Sequence, residues 1–192
     1  MDDELRPALN PDILAYICVD VETAGSIPSE YPLLSIGACS IPEPRRTFYV
    51  ELKPDKPAFT EEALNVSKLS LEELAQNGLP PAEAMLRFEQ WIGETVPAGV
   101  KPIFVAFNAP FDWMFINDYF ERYLGRNPFG HSALDIKAFY MGLAGVSWQE
   151  TSMREVIHHF SGQSPLTHHA LQDALDQADL FLKMLHYSNN AN

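Results

Sequence analysis

Three short blocks of this chain carry side chains suited to hydrolytic chemistry. Asp20 and Glu22 stand two residues apart in Ile17-Cys18-Val19-Asp20-Val21-Glu22-Thr23. Asp112 closes Phe107-Asn108-Ala109-Pro110-Phe111-Asp112, and His168 precedes Asp173 by five residues in His168-His169-Ala170-Leu171-Gln172-Asp173. Four carboxylates without Cys or His at zinc-like spacing suit Mg²⁺ or Mn²⁺ better than Zn²⁺. Two such ions, about 3.5–4 Å apart, stabilise both the attacking and the leaving oxygen of an in-line displacement at phosphorus. A neutral imidazole, with an unperturbed pKa of about 6.5, can take the proton of an attacking water near neutral pH. If the fold brings the blocks to one point, the pattern predicts metal-assisted phosphodiester cleavage.

Singly, each block has an ordinary explanation. Residues two apart on a strand leave the same face, so Asp20 and Glu22 project together and repel. Such a pair is tolerated at the C-terminal end of a strand, where α/β sheets build their sites, and a cation stabilises it. On a solvent-facing edge it would mean nothing. Asp112 also fits the first turn of a helix, where the macrodipole favours a carboxylate, and Asn108 fits a turn. Spacing alone does not choose between His168 and His169. Asp118, Asp135, Asp176 and Asp179 read as surface or supporting residues; Asp135 is the most suggestive of them, because it falls in a candidate fifth strand.

The elements that must position these groups follow from periodicity. Residues 15–22 open with a near-continuous apolar run, as a central strand does. A Gly/Ser/Pro loop covers 25–32, and strands are expected over 33–41 and 47–52 with a turn across 42–46. Ser70-Leu71-Glu72-Glu73 has the form of a capping box, and 81–96 sets Met85, Phe88, Trp91 and Ile92 at helical spacing. A short strand over 103–107 leads into a helix over 111–124, closed by Gly125. Residues 133–140 read as a fifth strand or as the start of a helix. Helices over 151–160 and 169–187 flank a Gly/Pro-containing connection at 161–166. Hairpin-like strands followed by helix–strand units predict an α/β domain with a mixed sheet. It is read as one domain over 1–192, with its core at about 13–187.

Composition narrows the classes. The 192 residues are 46% hydrophobic and 20% charged, values typical of a globular chain. The start lacks the basic and apolar regions of a secretory signal, and no apolar run reaches the roughly 20 residues of a membrane span. Cys18 and Cys39 lie in apolar strands and read as buried reduced thiols, which favours a cytoplasmic setting. The formal charge of −13 argues against a long duplex-gripping groove, because binding along many phosphates calls for a basic face. Contact with a few nucleotides at a chain end fits better.

Taken together, the blocks resemble those of the DnaQ-like 3′–5′ exonucleases of the histidine-bearing DEDD class (DEDDh). The family's Asp-x-Glu-Thr matches Asp20-Val21-Glu22-Thr23, and its Asn-x-x-Phe-Asp matches Asn108 through Asp112. Its His-x-Ala-Leu-x-Asp-Ala matches His168 through Ala174, which selects His168 over His169. Leu33 through Ala38 is similar to the family's second strand, and the match runs in order over about 16–179. The resemblance implies a ribonuclease H-like mixed five-stranded sheet with helices on both sides. It implies release of nucleoside 5′-monophosphates from the 3′ end of single-stranded or frayed DNA or RNA. It also implies that Asp20 is shared by two Mg²⁺ or Mn²⁺ ions, with Glu22 and Asp173 on the nucleophile side, Asp112 at the second ion and His168 as general base. The backbone at Thr23 and Ala24 is expected near the terminal 3′-hydroxyl, with Phe107 and Asn108 as further substrate contacts. Many relatives continue with Thr-Thr-Gly and an apolar wedge; here the chain reads Thr23-Ala24-Gly25-Ser26-Ile27, leaving Ile27 and Phe107 as candidates for that contact. Among Phe107, Phe111, Trp113 and Phe115, most are expected in the core.

Two other readings stand beside this one. An oligoribonuclease-like diesterase for very short oligonucleotides would suit an acidic surface. A nuclease-like binding or scaffold module is disfavoured by the intact set of five groups. A homodimer or a larger nucleic-acid-processing complex is expected by family analogy only.

Overall fold

In the computed structural model, which describes residues 15–41, 43–160 and 168–190, β1 (Tyr16–Thr23) is the central strand of a five-stranded sheet. β2 (Leu33–Ser40) pairs with it antiparallel and β4 (Ile103–Ala106) pairs with it parallel. β3 (Thr47–Glu51) extends the antiparallel side and β5 (Ala133–Asp135) the parallel side, giving the order β3-β2-β1-β4-β5.

Strand alternation divides the core between the two faces. Ile17, Val19 and Val21 point toward α3 (Pro81–Thr95) and α4 (Pro110–Leu124), where Phe88, Phe115 and Phe120 are fully buried. Phe88 stacks on Phe48 at 5.0 Å and on Phe120 at 5.7 Å, so Phe88→Ala would cost about 3–5 kcal/mol. Tyr16 and Cys18 point the other way, toward α5 (Ile136–Ala144), α6 (Met153–Phe160) and α7 (Ala170–Asn190). By the same alternation Asp20 and Glu22 continue the α7-facing row. Cys18 and Cys39 face each other across β1 and β2 as buried free thiols. Burial pushes the Cys39 thiol up to about 12 and raises Cys18 as well, so neither readily forms a thiolate.

Most elements begin and end where their residue types dictate. The Ser70 hydroxyl accepts from the Glu73 N–H and starts α2 (Leu71–Asn77), and Gly125 closes α4 at φ 64°. The stretch 133–140 is both things its sequence suggested. It pairs as a strand for three residues, then turns into α5 where the Asp135 carboxylate accepts the Lys137 N–H. One helix was not expected: α1 (Glu61–Ser67), capped by the Thr60 hydroxyl accepting from Ala63, with Glu61 and Glu62 in its first turn. The connection expected at 161–166 and Pro42 of the expected turn lie outside the described residues.

Candidate active site

The site forms at the C-terminal ends of β1 and β4. Past the last β1–β4 pair, Cys18 with Val105, the two strands diverge. The Val21 N–H then finds the Asp112 carboxylate, donating to Oδ1 at 3.1 Å. Asp112 reaches this point from the first turn of α4, after the turn at Asn108, which takes φ 61°. Asparagine tolerates that left-handed conformation better than most residues. Asp135 holds the turn from outside, its Oδ1 accepting from the Asn108 N–H at 2.9 Å and the Ala109 N–H at 3.3 Å.

Asp173 arrives from the opposite layer. Gly37 of β2 sits beside Asp20 in register, and a Cβ there would lie 2.1 Å from the Ala170 carbonyl carbon and the Leu171 nitrogen. The missing side chain therefore lets the first turn of α7 rest on the sheet next to Asp20. β2 also carries an extra residue, Leu34, opposite the Glu22/Thr23 step, and such bulges re-aim side chains beside a site. His168, at φ 55°, precedes α7 and donates its backbone N–H to Asp173 Oδ2 at 2.9 Å.

Asp20, Glu22, Asp112, Asp173 and His168 thus line a single cleft of about 550 Å³, with Thr23, Phe107 and Asn108 also on its wall. Glu22, His168 and Asp173 are the tightest group, offering ligand atoms that lie within 4.8 Å of one another. His169 points elsewhere and stacks on Tyr49 at 4.7 Å. Ala24 is not among the lining residues. It is fully buried, its N–H donates to the Pro32 carbonyl and its carbonyl accepts from the Thr60 N–H, so its backbone groups are engaged. Phe111 joins Phe107 on the wall, whereas Phe115 is core. Asp118 and Asp179 pair with Arg122 and Arg45, and Asp176 accepts from Gln172.

Sequence reasoning missed two contributors. One is α1, whose Glu62, Ala63 and Val66 form part of the cleft wall; its signal was Thr60 followed by Glu61 and Glu62. The other is Gln177, one turn beyond Asp173, whose buried amide donates to Asp20 Oδ1 at 2.7 Å and accepts from the Phe107 N–H at 2.8 Å. No motif singles out that glutamine.

The electrostatics are those that a bound cation would relieve. Burial, then repulsion from Asp112, Glu22 and Asp173, raises Asp20 well above the usual carboxylate range, against the lowering effect of the Gln177 hydrogen bond. Burial and Asp173 push Glu22 up to about 7. Burial pushes Asp112 up to about 8, although the Val21 N–H opposes this. Among the described residues, Asp20, Glu22 and Asp112 have no lysine or arginine partner, and none lines the cleft. Buried carboxylates without a countercharge are costly. Hard divalent cations supply that charge through oxygen ligands, so the donor set fits Mg²⁺ or Mn²⁺.

Comparison with known proteins agrees with this geometry. The RNase_T family model, described as exonuclease, matches residues 17–181. This chain belongs to that exonuclease family. The exonuclease is 47% identical over 166 residues to the 3′–5′ DNA exonuclease Cap18 of Escherichia coli, covering 86% of this chain and 89% of that protein. The nuclease domain of 3′hExo, a DEDDh family member solved bound to rAMP, superposes with a TM-score of 0.74 at 14% identity, over 90% of this chain and 92% of that one. A 3′-exonuclease solved in a study of its 3′-end specific recognition of a histone mRNA stem-loop gives a TM-score of 0.72 at 12% identity, over 90% of this chain and 63% of that one. The fold is ribonuclease H-like, with a mixed five-stranded sheet between helical layers. The enzyme is a 3′–5′ exonuclease of a family that depends on divalent metal. No helix among its described residues is long and apolar enough to cross a membrane.

Proposed function

We propose that this exonuclease removes nucleotides one at a time from the 3′ end of DNA, acting on single strands or frayed ends. The observation that carries the reading is the convergence of Asp20, Glu22, Asp112, Asp173 and His168 on one cation-deficient cleft. DNA is preferred over RNA here on the strength of the 47% identical relative named as a DNA exonuclease. The absence of lysine and arginine among the described lining residues suits capture of one terminal nucleotide rather than grip along a strand.

In this mechanism Asp20, Glu22 and Asp173 would hold one Mg²⁺ or Mn²⁺, and Asp20 and Asp112 would hold a second; such a pair would supply charge stabilisation at the scissile phosphate and at the attacking and leaving oxygens. The His168 imidazole accepts the proton of the attacking water as its oxygen bonds to phosphorus. The bond from phosphorus to the 3′-oxygen breaks, that oxygen takes a proton from solvent, and a nucleoside 5′-monophosphate departs. The backbone of His168, left-handed and with its N–H donating to Asp173, starts the imidazole from beside the carboxylates, and a ring nitrogen comes within 4.8 Å of Glu22 and Asp173 oxygens. Thr23 and Asn108 flank the terminal sugar, and Phe107 and Phe111 offer apolar surface to the base. The two buried thiols fit a reducing compartment such as the cytoplasm.

The test is digestion of matched DNA and RNA oligonucleotides, labelled at the 3′ or 5′ end, with Mg²⁺ or Mn²⁺ supplied. Mononucleotides from the 3′ end of DNA are expected; internal fragments would reject the assignment. A diesterase for very short oligonucleotides is the second reading, favoured by the lack of lysine and arginine among the described residues lining the cleft. A steep fall in rate with oligomer length would select it.

A further inference from the structure

We infer that Gln177 is a positioning residue for cation binding: its amide fixes the rotation of the Asp20 carboxylate and couples that carboxylate to the turn at Phe107. This rests on the reading above, in which Asp20 holds a divalent cation. Gln177 is 3% exposed and bonds both Asp20 near the end of β1 and Phe107 just past the end of β4. Its orientation is decided by chemistry. The Phe107 N–H can only donate, so the atom 2.8 Å away must be the amide oxygen. The amide nitrogen is then forced toward Asp20, where it donates to Oδ1 at 2.7 Å. A donor at that oxygen favours the charged carboxylate and leaves Oδ2 as the oxygen free to meet a cation.

The same contact holds Phe107 in place. With Asp135 taking the Asn108 and Ala109 N–H groups, three consecutive backbone donors beyond β4 are each satisfied by a side chain. That turn carries Phe107 and Asn108 on the cleft wall and leads into the helix that bears Asp112. Through Gln177, the wall and the central carboxylate are set by one buried amide. Loss of such an outer hydrogen bond typically costs about 10–100-fold in metal affinity or activity.

The experiment titrates MnCl₂ into the full chain by calorimetry and measures kcat and KM on a short DNA oligonucleotide, for wild type and the Gln177→Met, Gln177→Glu and Asp20→Asn variants. Methionine has similar reach and makes neither bond. Glutamate still accepts from Phe107 but donates to Asp20 only while protonated, so this variant is read at about pH 9, where its carboxyl is ionised. Both Gln177 variants are expected to lose about tenfold or more in Mn²⁺ affinity and in kcat, at nearly unchanged KM. Should Gln177→Met melt well below wild type, Gln177→Glu, which keeps the Phe107 bond, is the variant read. Wild-type Mn²⁺ affinity and kcat in the variant read, or a loss confined to KM, overturns the inference. If Asp20→Asn also binds Mn²⁺ as wild type does, it is the assignment of the cation site that fails instead.

Discussion

Two groups of poorly exposed carboxylates lie in this molecule, and they are treated in opposite ways. Asp55 is surrounded by donors: Tyr119 at 2.6 Å, Tyr123 at 2.7 Å, Arg122 at 2.6 Å and Lys56 at 3.0 Å. Burial pushes it up, but the hydrogen bonds from Tyr119, Tyr123 and Lys56 outweigh this and hold it below the usual carboxylate range. Tyr119 in turn accepts from the Leu33 N–H, so the cluster fastens α4 to the start of β2. In the cleft, among the described residues, Asp20, Glu22 and Asp112 meet the Gln177 amide and backbone N–H groups but no lysine or arginine, and all three are raised. A carboxylate satisfied within the chain stabilises it; a carboxylate left short of positive charge is a place kept for a ligand.

The largest expected break in this contrast is Asp20→Asn. Turnover should fall below detection in the 3′-end release assay, while the melting temperature of the metal-free protein rises, because a buried carboxyl that folding must either protonate or hold charged against its neighbours has been removed. Next, His168→Ala should reduce kcat by about 10²–10⁴-fold, as for loss of a general base, with the circular dichroism spectrum retained.

The third prediction concerns pH. Glu22 and Asp112 titrate at about 7 and about 8 in the fold, against about 4 in an unfolded chain. Between these values the folded state holds the extra protons, so the metal-free protein should lose stability as pH rises from about 4 to about 8. Mg²⁺ should flatten that loss, with the larger rise in melting temperature at pH 8 than at pH 6. Asp55 runs the other way: its contribution is present above its unfolded pKa and fades as pH falls through its lowered folded value. The smallest effect is expected from Asp55→Ala, which should cost about 1–3 kcal/mol in denaturant melts while kcat per folded molecule stays near wild type.

How much of this was readable beforehand depended on what each feature rests on. The four carboxylates stood out because cation chemistry restricts residue type and spacing together, whereas His168 was separated from His169 only by the resemblance of His168 through Ala174 to the family motif. The strands were legible from apolar runs, and the switch from β5 to α5 was half legible because Asp135 is both a strand end and a cap. The helix α1 was overlooked because Glu61 through Ser67 carries too few apolar residues to display a period, and its cues were only the Thr60 cap and the two glutamates after it. Gln177 was invisible because a buried amide earns its place through three-dimensional neighbours, Asp20 and Phe107, that are 157 and 70 residues away. The engaged backbone of Ala24 likewise follows from pairing with Pro32 and Thr60, which motif spacing does not report.

Gly37 carries a consequence for how this enzyme tolerates change. Because a single methyl group there would collide with the peptide joining Ala170 to Leu171, the clearance between sheet and helix is set by one hydrogen atom. Gly37→Ala would shift Asp173 and Gln177 together and move both relative to Asp20 without replacing a single carboxylate.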